Sequence, residues 1–253
     1  MRRAAAYVIF SVAGLLGIGS LIAFLAFLIL GLPHSVVAPG ADPSKALWLD
    51  AGLCLIFFLQ HSGLVRRSFR RWSTRFIPED YWGAAYAISS GMALLALVLL
   101  WRGVGSFRLA LQGIVRWSFH AILVLSLLVF AWGAVVLGTF DPFGLRSILH
   151  RLRGATAKRG ALLVRGPYRW IRHPLYGAMI LMIWSCPDLT ADRLLFNLAF
   201  TGWILVGTLL EERDLVADFG AEYRDYQRRV PMLVPRTLGP RWTESSPHRS
   251  GVG

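Results

Sequence analysis

The chain has 253 residues, 55% of them hydrophobic and only 16% charged, with a formal net charge of +13. A soluble domain rarely carries that balance, and the apolar residues fall in runs of the ~20 that a helix needs to cross a bilayer, so the expected class is an all-α, polytopic transmembrane protein. The positive charge reads as loop cations beside membrane spans rather than as a nucleic-acid surface, and two cysteines far apart, Cys54 and Cys186, with no CxxC, give little support to a disulfide framework or a structural zinc site.

In chain order, residues 4–32 are uncharged and mostly apolar. Arg2 and Arg3 precede them, but the run is longer than a signal-peptide core and lacks a clear small-residue cleavage site, so it is read as the first span. The second span covers about 46–65, with Asp50, Gln60 and His61 inside it; the third covers 81–101 and the fourth 115–138, which contains His120. A basic segment then continues to Arg172. Residues 174–187 form a short apolar run and 193–210 a longer one, and the linker CPDLTAD marks the two as a helical hairpin. Loop cations test this scheme of about six spans. Arg2 and Arg3, the RRSFRRWSTR loop, the segment from Thr139 to His173 and the tail from Glu211 hold 22 of the 27 basic residues, and Lys45, Arg102, Arg108, Arg116 and Arg193 make up the other side. Such a split places both termini in the cytoplasm. The last stretch, 237–253, reads as a disordered polar tail.

Two stretches carry the chemistry. Residues 165–177 read RGPYRWIRHPLYG. Gly166-Pro167 signals a turn, and Pro174 suits the first turn of a helix, which puts His173 at its N-cap, where free N–H groups attract anions. Arg169 and Arg172 add charge, while Tyr168, Trp170 and Tyr176 add π faces that attract cations. Interfacial anchoring would use the same residue types. Residues 210–226 read LEERDLVADFGAEYRDY, in which Glu211 and Glu212 follow directly on an apolar span. Carboxylates there are costly unless they have a partner, a ligand or a snorkelling route to water. Glu212, Leu215, Val216, Phe219, Tyr223 and Tyr226 share one face of a continuing amphipathic helix.

The string GPYRWIRHPLYG, followed by EERDLVADFGAEYRDYQRRVPMLVP, resembles the signature of the isoprenylcysteine carboxyl methyltransferase and phospholipid methyltransferase superfamily, over roughly residues 139–236. LQHSGLVRRSFRRWSTRFIP and DPFGLR are similar to its bacterial branch, which contains methanethiol S-methyltransferases and NnrU-type proteins. The resemblance implies an integral membrane enzyme that uses S-adenosylmethionine. It implies a cofactor site around Gly166, Tyr168, Arg172, His173, Pro174, Tyr176 and Gly177, with Glu211 and Glu212 on the cofactor's polar groups. It divides the chain into four N-terminal helices on the acceptor side (1–138), a catalytic region (139–236) and the tail. No GxGxxG follows a strand, as a soluble dinucleotide site would require.

Methyl transfer to a thiol needs a thiolate. His61, at the basic end of the second span, is the candidate base, beside the plainer reading of a satisfied interfacial histidine. Glu212 and Arg213 are the other catalytic candidates, Arg213 as an always-charged fork for a carboxylate. Asp50 and His120 either face an internal space or pair with each other. The favoured acceptor is a small thiol, giving a thioether. The alternatives are an isoprenylcysteine carboxylate or lipid headgroup, an NADPH-dependent sterol-type reductase, and a non-enzymatic NnrU-like protein in which His61 and His120 ligate a haem. The expected partners are a small or lipidic methyl acceptor and membrane lipid, with no nucleic acid and no metal, and the expected location is the bacterial inner membrane with the site at its cytoplasmic face.

Overall fold

The computed structural model describes residues 2–30, 35–36, 42–104, 108–138, 145 and 162–235. The tail 237–253, the DPFGLR motif up to Leu145 and the basic residues from Arg146 to Arg159 lie outside it, Leu145 excepted. Five helices are long and apolar enough to cross a membrane: α1 (Arg2–Leu30), α2 (Pro43–Val65), α4 (Glu79–Leu100), α5 (Gly113–Leu137) and α7 (Ala191–Phe219). Between them lie α3 (Arg67–Ser73), a 3₁₀ turn (Gly166–Arg169), α6 (Pro174–Trp184) and, last, α8 (Ala221–Arg229). Two small ribbons complete the described elements: β1 (Ser35–Val36) pairs in parallel with β2 (Arg102–Gly103), and β3 (Arg108–Ala110) pairs antiparallel with β4 (Asp188–Thr190).

Local chemistry sets the helix starts. Asp42 caps α2 by accepting the Ser44 N–H at 2.9 Å, with Pro43 in the first turn. Pro78 precedes α4, whose first turn carries Glu79 and Asp80 against the positive end of the helix dipole. Thr190 caps α7.

One expected span has a different form. The apolar run 174–187 is helical only over the 11 residues of α6, about 16 Å at 1.5 Å per residue against a hydrocarbon core of ~30 Å. Ser185 to Pro187 then carry the chain on to β4. α6 still packs beside α7, where the Trp184 indole N–H donates to Thr201 at 2.9 Å.

Buried ionic side chains tie the helix ends farthest from α8. Asp192, at the start of α7, accepts the Trp101 indole N–H at 3.0 Å and the Val104 N–H at 3.1 Å. Arg193 donates to the last carbonyls of α1, at Phe27 and Leu28, and stacks over the Phe27 and Phe196 rings. Asp50 accepts the Arg102 N–H at 2.9 Å, and Arg116 grips Asp188 through two bonds. His120 lies edge-on to Trp117 instead, so it and Asp50 do not pair. Cys54 is buried and the Cys186 thiol donates to the Asp188 carbonyl, both free of disulfides.

The apolar core sits between these ends, with Phe196 and Phe200 stacked at 4.1 Å among Phe27, Phe58 and Trp101. α1 and α4 cross most closely along Ala6, Ala13, Ala84 and Ala87, the small residues that let backbones approach in a membrane. At Gly91 a Cβ would lie 2.9 Å from the Leu16 carbonyl oxygen. Gly91→Ala should therefore cost about 1–3 kcal/mol as an overpacked contact, read as a lowered thermal midpoint in detergent; an unchanged midpoint would show that the crossing relaxes freely.

Candidate active site

The site grows from the chain's second reversal. Gly166 opens the 3₁₀ turn at φ +53°, and a Cβ there would meet Val136 at 2.9 Å and the Trp132 indole at 3.3 Å, so only glycine lets this turn dock on α5. The turn delivers Tyr168 inward and leads to Arg172 and His173. His173 is the N-cap residue of α6 and Pro174 fills its first position, as the sequence predicts. The backbone N–H groups of Arg172 and His173 donate to the carbonyls of Pro231 and Met232, at 2.9 and 3.0 Å. The segment after α8 is thereby clamped beside the α6 N-terminus.

Glu212 is the hub. Its side chain is 9% exposed and holds the Arg172 guanidinium by two bonds of 2.8 and 2.9 Å. His173 Nε2 lies 2.6 Å from the same carboxylate, Tyr223 donates to it at 2.8 Å, and Gln227 donates to its second oxygen. The remaining Arg172 nitrogen donates to the carbonyls of Gln227 and Val230. Every acceptor position of the Glu212 carboxylate nearest these groups is taken, so Glu212, Arg172 and His173 form one internally satisfied network.

That network requires a break the sequence pattern did not predict. In one continuous helix, Glu212 and Tyr223 would stand about 16 Å apart along the axis. Instead Gly220, at φ +59°, ends α7 and starts α8, and α8 folds back so that Tyr223 and Tyr226 are buried against Val164 and Val230. The shared face expected of Glu212, Tyr223 and Tyr226 exists, but across two helices. Burial, together with the neighbouring Glu212 charge, pushes the Tyr223 phenol well above its ordinary pKa; burial does the same for Tyr226, and it lifts Tyr168 to about 12 with help from Glu211. Tyr223 and Tyr226 act as donors, Tyr223 to Glu212 and Tyr226 to the Tyr168 carbonyl at 2.5 Å.

Glu211 points elsewhere. It accepts from Tyr176 at 2.5 Å and lines a cavity of about 650 Å³ together with Tyr168, Tyr176, Tyr223, Tyr226 and the α6 N-terminus at His173 and Pro174. Its volume lies within the ~300–1,000 Å³ usual for ligand sites. Tyr176 stacks on the His173 ring at 5.6 Å. A second cavity of about 320 Å³ shares Leu175 and Tyr176 with the first and contains His61. There the Tyr86 hydroxyl lies 2.9 Å from His61 Nε2 and 3.1 Å from Nδ1, and Phe57 stacks on the imidazole at 5.1 Å.

Of the sequence-predicted residues, Tyr168, Arg172, His173, Pro174, Tyr176, Glu211 and Glu212 come together at the larger cavity or its rim. Gly166 serves the backbone nearby, and Gly177 lies on α6 beside the Leu233 carbonyl with room for a Cβ. Arg213 is exposed and lines neither cavity. Sequence reasoning did not assign Tyr226, Gln227 or Tyr86 to a site, although the FGAEYRDYQ string and a tyrosine three residues before the Ser89-Ser90 pair were the available signals.

A helical membrane protein with a ring-lined cavity where two spans meet a reversed terminal helix is the class these observations define. The chain belongs to the NnrU family: the family model described as NnrU protein matches residues 49–238. It is similar to "Methanethiol S-methyltransferase 2" of Bradyrhizobium diazoefficiens, 35% identical over 88% of this chain and 86% of that protein. The methanethiol S-methyltransferase of a Pseudomonas species is 36% identical over 85% of this chain and 83% of its own length, and that of Mycobacterium tuberculosis 34% identical over 92% and 93%. No solved structure matches the chain.

Removing the hub carboxylate would strand a buried guanidinium. Glu212→Ala should destabilise the protein by about 3–5 kcal/mol, whereas Tyr223→Phe, which removes one hydrogen bond, should cost about 1 kcal/mol. Thermal unfolding in detergent ranks the two; equal, small losses would contradict the hub.

Proposed function

We propose that this protein is an integral membrane methyltransferase that moves a methyl group from S-adenosylmethionine to a small thiol, giving a thioether. The observation that carries the reading is the pair of adjoining cavities: one large, ring-lined and bearing Glu211, the other small, apolar and bearing His61, with Tyr176 between them. The names of the relatives, which cover most of this chain, point the same way.

The residues at the larger cavity fit the cofactor. Glu211 is the polar partner for the ammonium or ribose hydroxyls, because both Glu212 oxygens are already engaged within the protein. First-turn amides of α6 suit the carboxylate. The Tyr168 and Tyr176 rings suit the sulfonium, whose positive charge a π face attracts. When bound, S-adenosylmethionine supplies an electrophilic methyl on a positively charged sulfur. The roles of Arg172, His173, Glu212 and Tyr223 are to hold the reversed α8 and the cavity wall in place. His61 would take the thiol proton, leaving a thiolate to accept the methyl that bound S-adenosylmethionine would supply, and Tyr86 would hold the imidazole. Positioning within a poorly hydrated cavity supplies most of the rate gain. The cation distribution supports placing the basic helix ends at the cytoplasmic face of a bacterial inner membrane.

Calorimetry with S-adenosylhomocysteine tests the class, with NADPH alongside. Binding of S-adenosylhomocysteine is expected, weakened about tenfold or more in Glu211→Gln as a charge-assisted contact of ~1.5–3 kcal/mol is lost, without loss of thermal stability. Binding of NADPH alone would make the protein a reductase. For the base, His61→Ala should slow thiol methylation most at neutral pH, and the deficit should shrink as pH rises past about 8.5, where thiols begin to ionise unaided. A deficit that is constant with pH would remove His61 as the base.

A further inference from the structure

The smaller cavity has a chemistry of its own. It lies among α1, α2, α4, α5 and the first turns of α6, and its polar groups are few: besides the Tyr176 hydroxyl, which donates to Glu211, they are the His61 imidazole, the Tyr86 hydroxyl, Ser20 and Ser90. Three of these are already committed. Ser20 donates to the Gly17 carbonyl, Ser90 accepts from Gln60, and Tyr86 is held against His61. The rest of the lining is apolar, including Phe57 stacked on the imidazole, Leu94, Phe130 and Met179. Small residues of α1 and α4, Gly17 and Ala87, line it, while Gly91 lets the two helices approach beside it. At about 320 Å³ it is half the volume of its neighbour, near the lower end of what ligand sites offer. Beyond His61, its lining offers no charged side chain to pair with a carboxylate, an ammonium or a phosphate headgroup.

We infer that this cavity is the acceptor site, that it takes short, uncharged alkyl thiols, and that Phe130 and Met179 set the longest alkyl chain it admits. The inference rests on the thiol-methylation reading and deepens it. A neutral thiol partitions into the apolar space, where its only proton acceptor of matching reach is His61. The thiol S–H bond would break with its proton passing to the imidazole, and the sulfur would form its new S–C bond as the donor's S–CH3 bond breaks and S-adenosylhomocysteine leaves as a neutral thioether, where the two cavities adjoin at Leu175 and Tyr176. Excess methylenes would have to overlap the Phe130 ring or the Met179 chain. Hydrophobic pockets discriminate such steps by roughly tenfold or more per methylene that fits badly.

A series of straight-chain thiols from methanethiol to octanethiol, assayed with wild-type protein, Met179→Ala, Phe130→Ala and the lipid-facing control Leu128→Ala, tests this; Leu128 is 62% exposed on α5. Wild type and the control should share one sharp cut-off in kcat/KM, and each cavity variant should move it to longer chains while S-adenosylhomocysteine binding stays unchanged. A parallel thermal-shift series with the same thiols and no cofactor should show the same cut-offs. A flat wild-type profile, or variants whose profiles run parallel to wild type, would overturn the inference; either cavity variant alone suffices if the other does not fold. Thiol-dependent thermal shifts with the expected cut-offs but no methyl transfer would sink the enzymatic reading and leave the pocket standing.

Discussion

A carboxylate at the end of a membrane helix is expensive to hold away from water unless its charge is met on every side, and Glu212 shows how this chain meets it. Arg172 supplies the opposite charge in a two-bond fork, the geometry for which arginine and not lysine is suited, while His173, Tyr223 and Gln227 fill the remaining positions. Those partners come from the entry to α6 and from α8, so satisfying one side chain fixes the meeting of three chain segments. The cavity beside it is a consequence: Tyr168, Tyr223 and Tyr226 face it because the hub holds their backbones there. A network of this kind is only as good as its completeness, since a half-satisfied buried group is worse than none.

The opposite helix ends use the same device with different residues. Asp192 takes two donors from the end of α4, and Arg193 takes two carbonyls from the end of α1. α6 is too short to fill the width between the two ends by itself. Its N-terminus is pinned at the hub, and its far side is led by three non-helical residues to the β3–β4 ribbon, where Arg116 and Asp188 close the gap. The two cavities meet across the first turn of this short helix, at Leu175 and Tyr176. With the ends held by ion pairs and the middle by stacked phenylalanines, the α1–α4 crossing can afford small side chains, and the smaller cavity lies along it.

Single residues show how far a one-dimensional reading reaches. His173 was legible as an N-cap because Pro174 follows it, a local steric rule. The glutamate pair was legible as unusual because its position against an apolar run is a local property too. Which glutamate does what was not legible: Glu212 meets partners 40 residues upstream and 11 and 15 residues downstream, while Glu211, one position away and rotated by about 100° on the helix, faces Tyr176 and the cavity. Gly220 hid inside a pattern that a continuous helix would also satisfy. Tyr86 carried only the weak signal of its place before a serine pair, because its importance comes from the imidazole of another span.

Hydropathy, cation bias and turn chemistry are properties of neighbours in sequence, so the sequence by itself determined the membrane-helix architecture, the six apolar stretches, the start of α6 and several of the residues that line the larger cavity. Only the tertiary structure decided that the fifth of those stretches is a short helix, that α8 reverses at Gly220, that Asp50 bonds Arg102 rather than His120, and that His61 shares a small apolar cavity with Tyr86. Each of those depends on buried polar groups finding partners at long range, and the choice among partners is made by packing, which no local pattern encodes.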